Sequence, residues 1–183
     1  MWFGSPVGGM SAYARCVVRP RPPFANWPVH WELGRGRVWI VPEPLALVSQ
    51  YDSDVATVAE SERYHDALDE IVALGVLGAR TKLIILCDWR TIRRVEPGLR
   101  EAWLRRSKRS GNPFGINDAT YVATGANSAV RTTLRVAAIG LQLALGHAPV
   151  SFVDDPAPVL ERHRIAAPPA DFLDKIRRVR TAG

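Results

Sequence analysis

The chain has 183 residues, 47% hydrophobic and 23% charged, with a net charge of +6 and a pI near 9.9. That length suits one domain plus tails, and a domain of ~150 residues buries roughly 70% of its unfolded surface, so no disulfide or metal is needed to hold it. No apolar run is long enough to span a bilayer, the first residues lack the basic start and apolar core of a signal peptide, and Cys16 and Cys87 form neither a CxxC nor a zinc pattern, so a reduced cytoplasmic setting is expected.

Residues 1–28 are rich in Gly, Pro and Arg around Arg19-Pro20-Arg21-Pro22-Pro23. Proline fixes φ and removes N–H donors, so an extended leader that adds little to the core is expected. Val29 to Leu33 alternates apolar and polar residues, Gly34-Arg35-Gly36 makes a turn, and Arg37 to Val41 follows, which predicts a β-hairpin. Pro42-Glu43-Pro44 ends its second strand. Leu45 to Ser49 fits a short strand or an irregular link equally well. From Val55 to Leu74 the spacing predicts a helix with Val58, Ala67, Leu68, Ile71, Val72 and Leu74 near one face, closed by Gly75 and Gly78.

Three short apolar runs follow: Leu83 to Cys87, Ala119 to Ala123 and Val150 to Val153. Each is unbroken by charge, as in strands buried on both faces. Helical patterns separate them, giving a β-α-β-α-β unit with parallel strands. The first helix has Pro97 in its opening turn, an apolar stripe of Leu99, Ala102, Trp103 and Leu104, and Arg100, Arg105, Arg106, Lys108 and Arg109 toward water. The second runs from Ala129 to Leu145, with Asn127 and Ser128 as N-cap candidates. Between Val136 and Leu145 only Gln142 is polar, so this helix is buried nearly all round or covered by a partner. After Asp154-Asp155-Pro156 comes a short helix carrying Val159, Leu160 and His163, then a basic tail over 166–183 with an amphipathic stretch at Phe172, Leu173 and Ile176. The expected fold is α/β: a mixed, mostly parallel central sheet with an N-terminal hairpin and about four helices, the domain spanning 29–165.

The positive charge concentrates in Arg90 to Arg109 and in the tail Lys175 to Arg180, and the tail cations lack the interleaved aromatic residues of a single-strand groove, so nucleic acid is not the expected partner. Asp88 follows a buried strand as a phosphoacceptor would, and Thr124 ends the next strand. The early acidic pair and the late lysine of a receiver are missing, so Asp88 is read as a cap on its loop. Thr124-Gly125-Ala126-Asn127-Ser128 leads from strand to helix and could offer N–H groups to an anion, with Arg131 assisting, but it is neither GxGxxG nor a P-loop. His30, His65, His147 and His163 show no metal spacing, and no nucleophile motif occurs. No metal, cofactor or catalytic set is expected.

The order hairpin, helix, strand, helix, strand, helix, strand, helix, carried by Leu83-Ile84-Ile85-Leu86-Cys87-Asp88, Pro97 to Trp103, Asn127 to Arg131 and Pro149 to Asp155, resembles anti-sigma-factor antagonist (STAS) domains and their CRAL-TRIO-related relatives, in particular a bacterial STAS-like group. The resemblance covers Trp31 to Arg164. It implies a regulatory module that engages a protein partner or a second copy of itself. The implied surface holds Asp88, Arg90, Arg93, Glu96, Arg100, Thr124, Asn127 and Arg131. The alternative it carries is a carrier of lipid or another small apolar ligand, with the helix around Ile139 and Leu143 walling the pocket. Phosphoswitching antagonists place a serine or threonine at the helix start after the central strand. Here Arg93-Arg94-Val95-Glu96-Pro97-Gly98-Leu99 has no hydroxyl, Thr91 lies earlier, and Glu96 is expected to put a fixed negative charge at that helix end.

Overall fold

The computed structural model describes residues 21–76, 83–109, 117–125, 131–132, 135 and 150–181. Strands β1 (Trp31–Glu32), β2 (Gly36–Pro42), β3 (Leu45–Tyr51), β5 (Leu83–Asp88), β7 (Asn117–Ala123) and β8 (Val150–Val153) form a six-stranded sheet in the order β1-β2-β3-β5-β7-β8. The β1/β2 and β2/β3 pairs are antiparallel, and the β3/β5, β5/β7 and β7/β8 pairs are parallel. The fold is the expected α/β class with a mixed, mostly parallel sheet. Two residue pairs, β4 (Val55–Ala56) and β6 (Arg94–Val95), add a small parallel bridge beside it.

Leu45 to Ser49, left open by the sequence, belongs to β3, which pairs with β2 from Pro42↔Leu45 to Gly36↔Tyr51 and is buried along its whole length. The expected hairpin of Val29–Leu33 with Arg37–Val41 shrinks to two paired residues in β1, around a turn in which Gly34 takes φ +87°, a conformation that favours glycine. The more extensive hairpin is β2–β3, joined through Glu43-Pro44.

Alternation along these strands makes two cores. Val38, Ile40, Leu45, Leu47, Leu83, Ile85 and Cys87 point to one face, which is covered by the helices α1 (Val58–Ala73) and α2 (Leu99–Arg109). Trp39, Val41, Ala46, Val48 and Leu86 point to the other, where α3 (Ala157–His163) supplies Val159 and Leu160, and Ile165 follows. Residues 21–28 complete this second core. Phe24 is 0% exposed and stacks on Trp39 at 5.5 Å, and Trp27 meets both rings edge-on. The expectation of a leader that adds little to the core is therefore corrected for 21–28, where two aromatic side chains outweigh the prolines around them.

Helix α1 begins three residues later than its spacing suggested, because Thr57 caps it: the hydroxyl accepts from the Glu60 N–H at 3.2 Å and donates to the Glu60 carboxylate at 3.0 Å. It ends as expected, with Gly75 at φ +69° just past Leu74. Against α1, the α2 residues Trp103 and Arg106 pack inward. Trp103 stacks on Tyr64 at 6.0 Å and meets His65 edge-on at 5.1 Å. Arg106, expected to face water, is corrected: its side chain is only 15% exposed and pairs with Asp66 at 2.6 Å and Asp69 at 3.1 Å, because α1 lines up its acids opposite α2. Past α3 the chain reaches α4 (Phe172–Thr181), which buries Leu173 in the first core. The tail is thus a docked helix over these residues. The helix expected over Ala129 to Leu145, with its N-cap candidates and the pocket wall around Ile139 and Leu143, lies outside the described residues apart from Arg131, Thr132 and Arg135.

Candidate functional site

Strands β3, β5, β7 and β8 run parallel, so their carboxyl ends share one edge, where Gln50, Asp88, Thr124 and Asp154 lie at or just past the strand ends. In open α/β sheets ligands bind outside this edge, in the crevice where strand order reverses. Here the order β3-β5-β7-β8 proceeds in one direction, and the edge is filled by paired side chains.

Asp88 is completely buried, an expensive place for a carboxylate unless it is paired and hydrogen-bonded. Arg90 supplies the pairing as a fork, with Nε to Oδ1 at 2.8 Å and Nη2 to Oδ2 at 3.0 Å. The Arg90 backbone N–H adds 3.2 Å to Oδ1, which is the loop cap read from the sequence, and Gln50 Nε2 donates to Oδ2 at 2.9 Å. Arg21 Nη2 stands 3.6 Å away. Arg90 also reaches Asp155 at 2.7 Å and the Pro22 carbonyl at 2.7 Å. Hydrogen bonding to Asp88 is the main reason its guanidinium is held charged even more firmly than usual. Asp88 is therefore a saturated structural anion that ties the leader to the end of the central strand.

Thr124 and Arg131 meet next door. The fully buried Thr124 hydroxyl accepts from Arg131 Nε at 3.0 Å, and Nη2 donates to the Gly125 carbonyl at 2.7 Å and to Asp154. Arg131 thus ties Thr124 and Gly125 to Asp154, while the rest of the Thr124–Ser128 turn lies outside the described residues. A Cβ on Gly125, whose carbonyl Arg131 holds, would lie 3.9 Å from Arg90, so Gly125 sits beside Arg90. Asn127 lies outside the described residues.

Arg93 and Glu96 lie on the segment between β5 and α2, and Arg100 follows in the first turn of α2. The segment's backbone is pinned: Arg93 and Arg94 N–H both donate to the Asp54 carbonyl, at 2.7 and 2.9 Å, and Glu96 N–H donates to the Ala56 carbonyl at 2.9 Å. Ile92 and Leu99 are buried anchors on either side, yet residues 93–98 are all exposed. Glu96 does not sit as expected. Its carboxylate accepts from the Val58 N–H at 2.7 Å, so its charge serves the start of α1, and the expectation that it marks α2 is corrected. Thr91 spends its hydroxyl on the Tyr51 carbonyl at 2.9 Å.

Sequence reasoning missed Gln50, Arg21 and Asp155. The available signal was a lone amide ending an apolar strand and an acidic turn after β8, opposite the one basic residue two positions beyond Asp88. Among the described residues no group of His, Cys, Asp and Glu could hold a metal ion, and no helix is long and apolar enough to cross a membrane. A cleft between Tyr51, Thr57, Ser61, Trp89 and Trp103 has a volume of about 10 Å³, the space of about one water. Comparison with protein-family models, with curated proteins and with solved structures finds no match to this chain.

Proposed function

We propose that this chain is a non-catalytic, cytoplasmic regulatory module of STAS-like fold, which binds a protein partner or a second copy of itself through the segment from Arg93 to Arg100. The observation that supports this reading is the pinned but exposed run 93–98 between the buried Ile92 and Leu99. A segment already fixed in shape loses little freedom on docking. It presents Val95, 38% exposed, among the exposed side chains of Arg93, Glu96 and Arg100. Arginine beside an apolar centre suits a protein contact. With no hydroxyl from Arg93 to Leu99, and with the Thr91 hydroxyl bonded to β3, binding is constitutive.

Capture from native lysate with the wild-type chain and with the Arg93→Ala, Val95→Ser double variant tests this, alongside sedimentation of both proteins. The variant retains its fold and loses the captured protein or the self-association. Identical capture and identical sedimentation of the two proteins refute the assignment. Incubation with ATP and the same lysate leaves no stoichiometric phosphate between Thr91 and Arg100; phosphate on Thr91 that weakens binding would restore a switch.

A further inference from the structure

Helix α4 is held to the domain at a joint built around His30. The Phe172 ring stacks on His30 at 6.4 Å with 25° between planes, and His30 meets Trp31 edge-on at 5.9 Å. Trp31 Nε1 donates to Glu70 at 2.7 Å, and Arg177 of α4 donates to the other oxygen of the same carboxylate at 2.5 Å. Leu173 is buried beside them. The imidazole takes part through an unprotonated nitrogen, because Nδ1 accepts from the Ile40 N–H of β2 at 3.3 Å. A proton on Nδ1 would set two N–H groups against each other.

We propose that this joint is a pH-sensitive latch, in which protonation of His30 releases α4 from β1 and α1. The charged groups around it give the direction. From α4, Arg177 adds a like charge that would repel the imidazolium. From α1, Glu70 is already shared by Trp31 and Arg177. On β1, Glu32 is paired with Arg37 of β2 at 3.8 Å. Nε2 is buried without a well-aligned partner, and the Pro169 carbonyl is the neighbour that favours the cation. Burial is the largest influence on His30 and, with Arg177, keeps the ring below the usual imidazole value against Pro169. The released ring takes up its proton near the ordinary value of about 6.5 and the docked ring resists it. Docking is therefore complete above that pH and weakens as pH falls through it.

Hydrogen exchange of the full chain, corrected for intrinsic rates and followed from about pH 7.5 to about pH 5.5, tests the latch across the histidine range. The amides of Phe172 to Thr181 open more readily on acidification, by up to about tenfold for each pH unit below the released-state value. In His30→Asn, whose amide oxygen can accept from Ile40 and cannot titrate, α4 opening stays flat. His65, between α1 and α2 and held below the usual imidazole value chiefly by burial, is present in both proteins, so an acid response common to both is not the latch's. A wild-type α4 that ignores pH overturns the proposal, as does an equal acid response in His30→Asn. Should that variant fail to fold, the wild-type ring is titrated by NMR, and α4 amide shifts must follow the His30 midpoint; a different midpoint also overturns it.

Discussion

Glu96 and Val58 lie 38 positions apart in the chain, yet the Glu96 carboxylate accepts the first N–H of α1 at 2.7 Å. The same residue bonds through its backbone N–H to Ala56, so the exposed segment before α2 and the start of α1 form one unit. Glu96→Gln keeps an acceptor and loses the charge, which costs about 0.3–1 kcal/mol, the usual worth of an anion at a helix N-terminus. Glu96→Ala also loses the cap and costs about 1 kcal/mol. Urea unfolding of the two variants separates charge from hydrogen bond, and equal midpoints would show that charge alone matters.

Asp88→Ala costs about 3–5 kcal/mol, because it leaves Arg90, with its side chain only 20% exposed, facing a site built for an anion. Adding Arg90→Met recovers part of the loss, since the stranded cation is then removed as well. Chemical denaturation of the single and double variants measures the coupling, and additive losses would show that the pair is energetically independent.

Phe24→Ala costs about 3–5 kcal/mol, as deletion of a fully buried aromatic ring does. The thermal midpoint falls by roughly 10 °C for a chain of this size. Removing residues 1–28 lowers it at least as far. An unchanged midpoint in either protein would show that the Phe24–Trp27–Trp39 cluster adds nothing to stability.

Cys87 resists alkylation in the native protein. Burial pushes its thiol up to about 11, so the reactive thiolate is scarce near neutrality. Iodoacetamide at about pH 8 modifies it only at the rate of unfolding, read by peptide mass spectrometry, and addition of denaturant makes it react fast. Rapid native labelling would place the thiol at the surface.

Much of the sheet was legible because β5, β7 and β8 grow from the short charge-free runs 83–87, 119–123 and 150–153. The expected burial on both faces suits β5 and is corrected for β8, whose residues are half-buried or exposed. β3 was not, since Leu45 to Ser49 carries no period; only its partners on both sides make it central. Phe24 and Trp27 were hidden among prolines, where local composition outweighs two anchors that find their seat on β2. The Asp88 cap could be read from two-residue spacing, whereas the contacts of Glu96, Gln50 and Asp155 join distant parts of the chain and leave no local trace. Arg106 looked solvated because the acids that hold it lie on another helix.

The second core joins residues far apart in sequence, with Phe24 and Trp27 before the sheet and Val159, Leu160 and Ile165 after it. During synthesis the β2–β3 hairpin and the Leu86 strand emerge long before α3 exists. Until residues 157–165 have been made, Phe24 and Trp27 are the cover of this side of the growing sheet among the described residues. The early aromatic pair acts as a temporary shield for a nascent sheet, and completion of this core waits on Val159, Leu160 and Ile165.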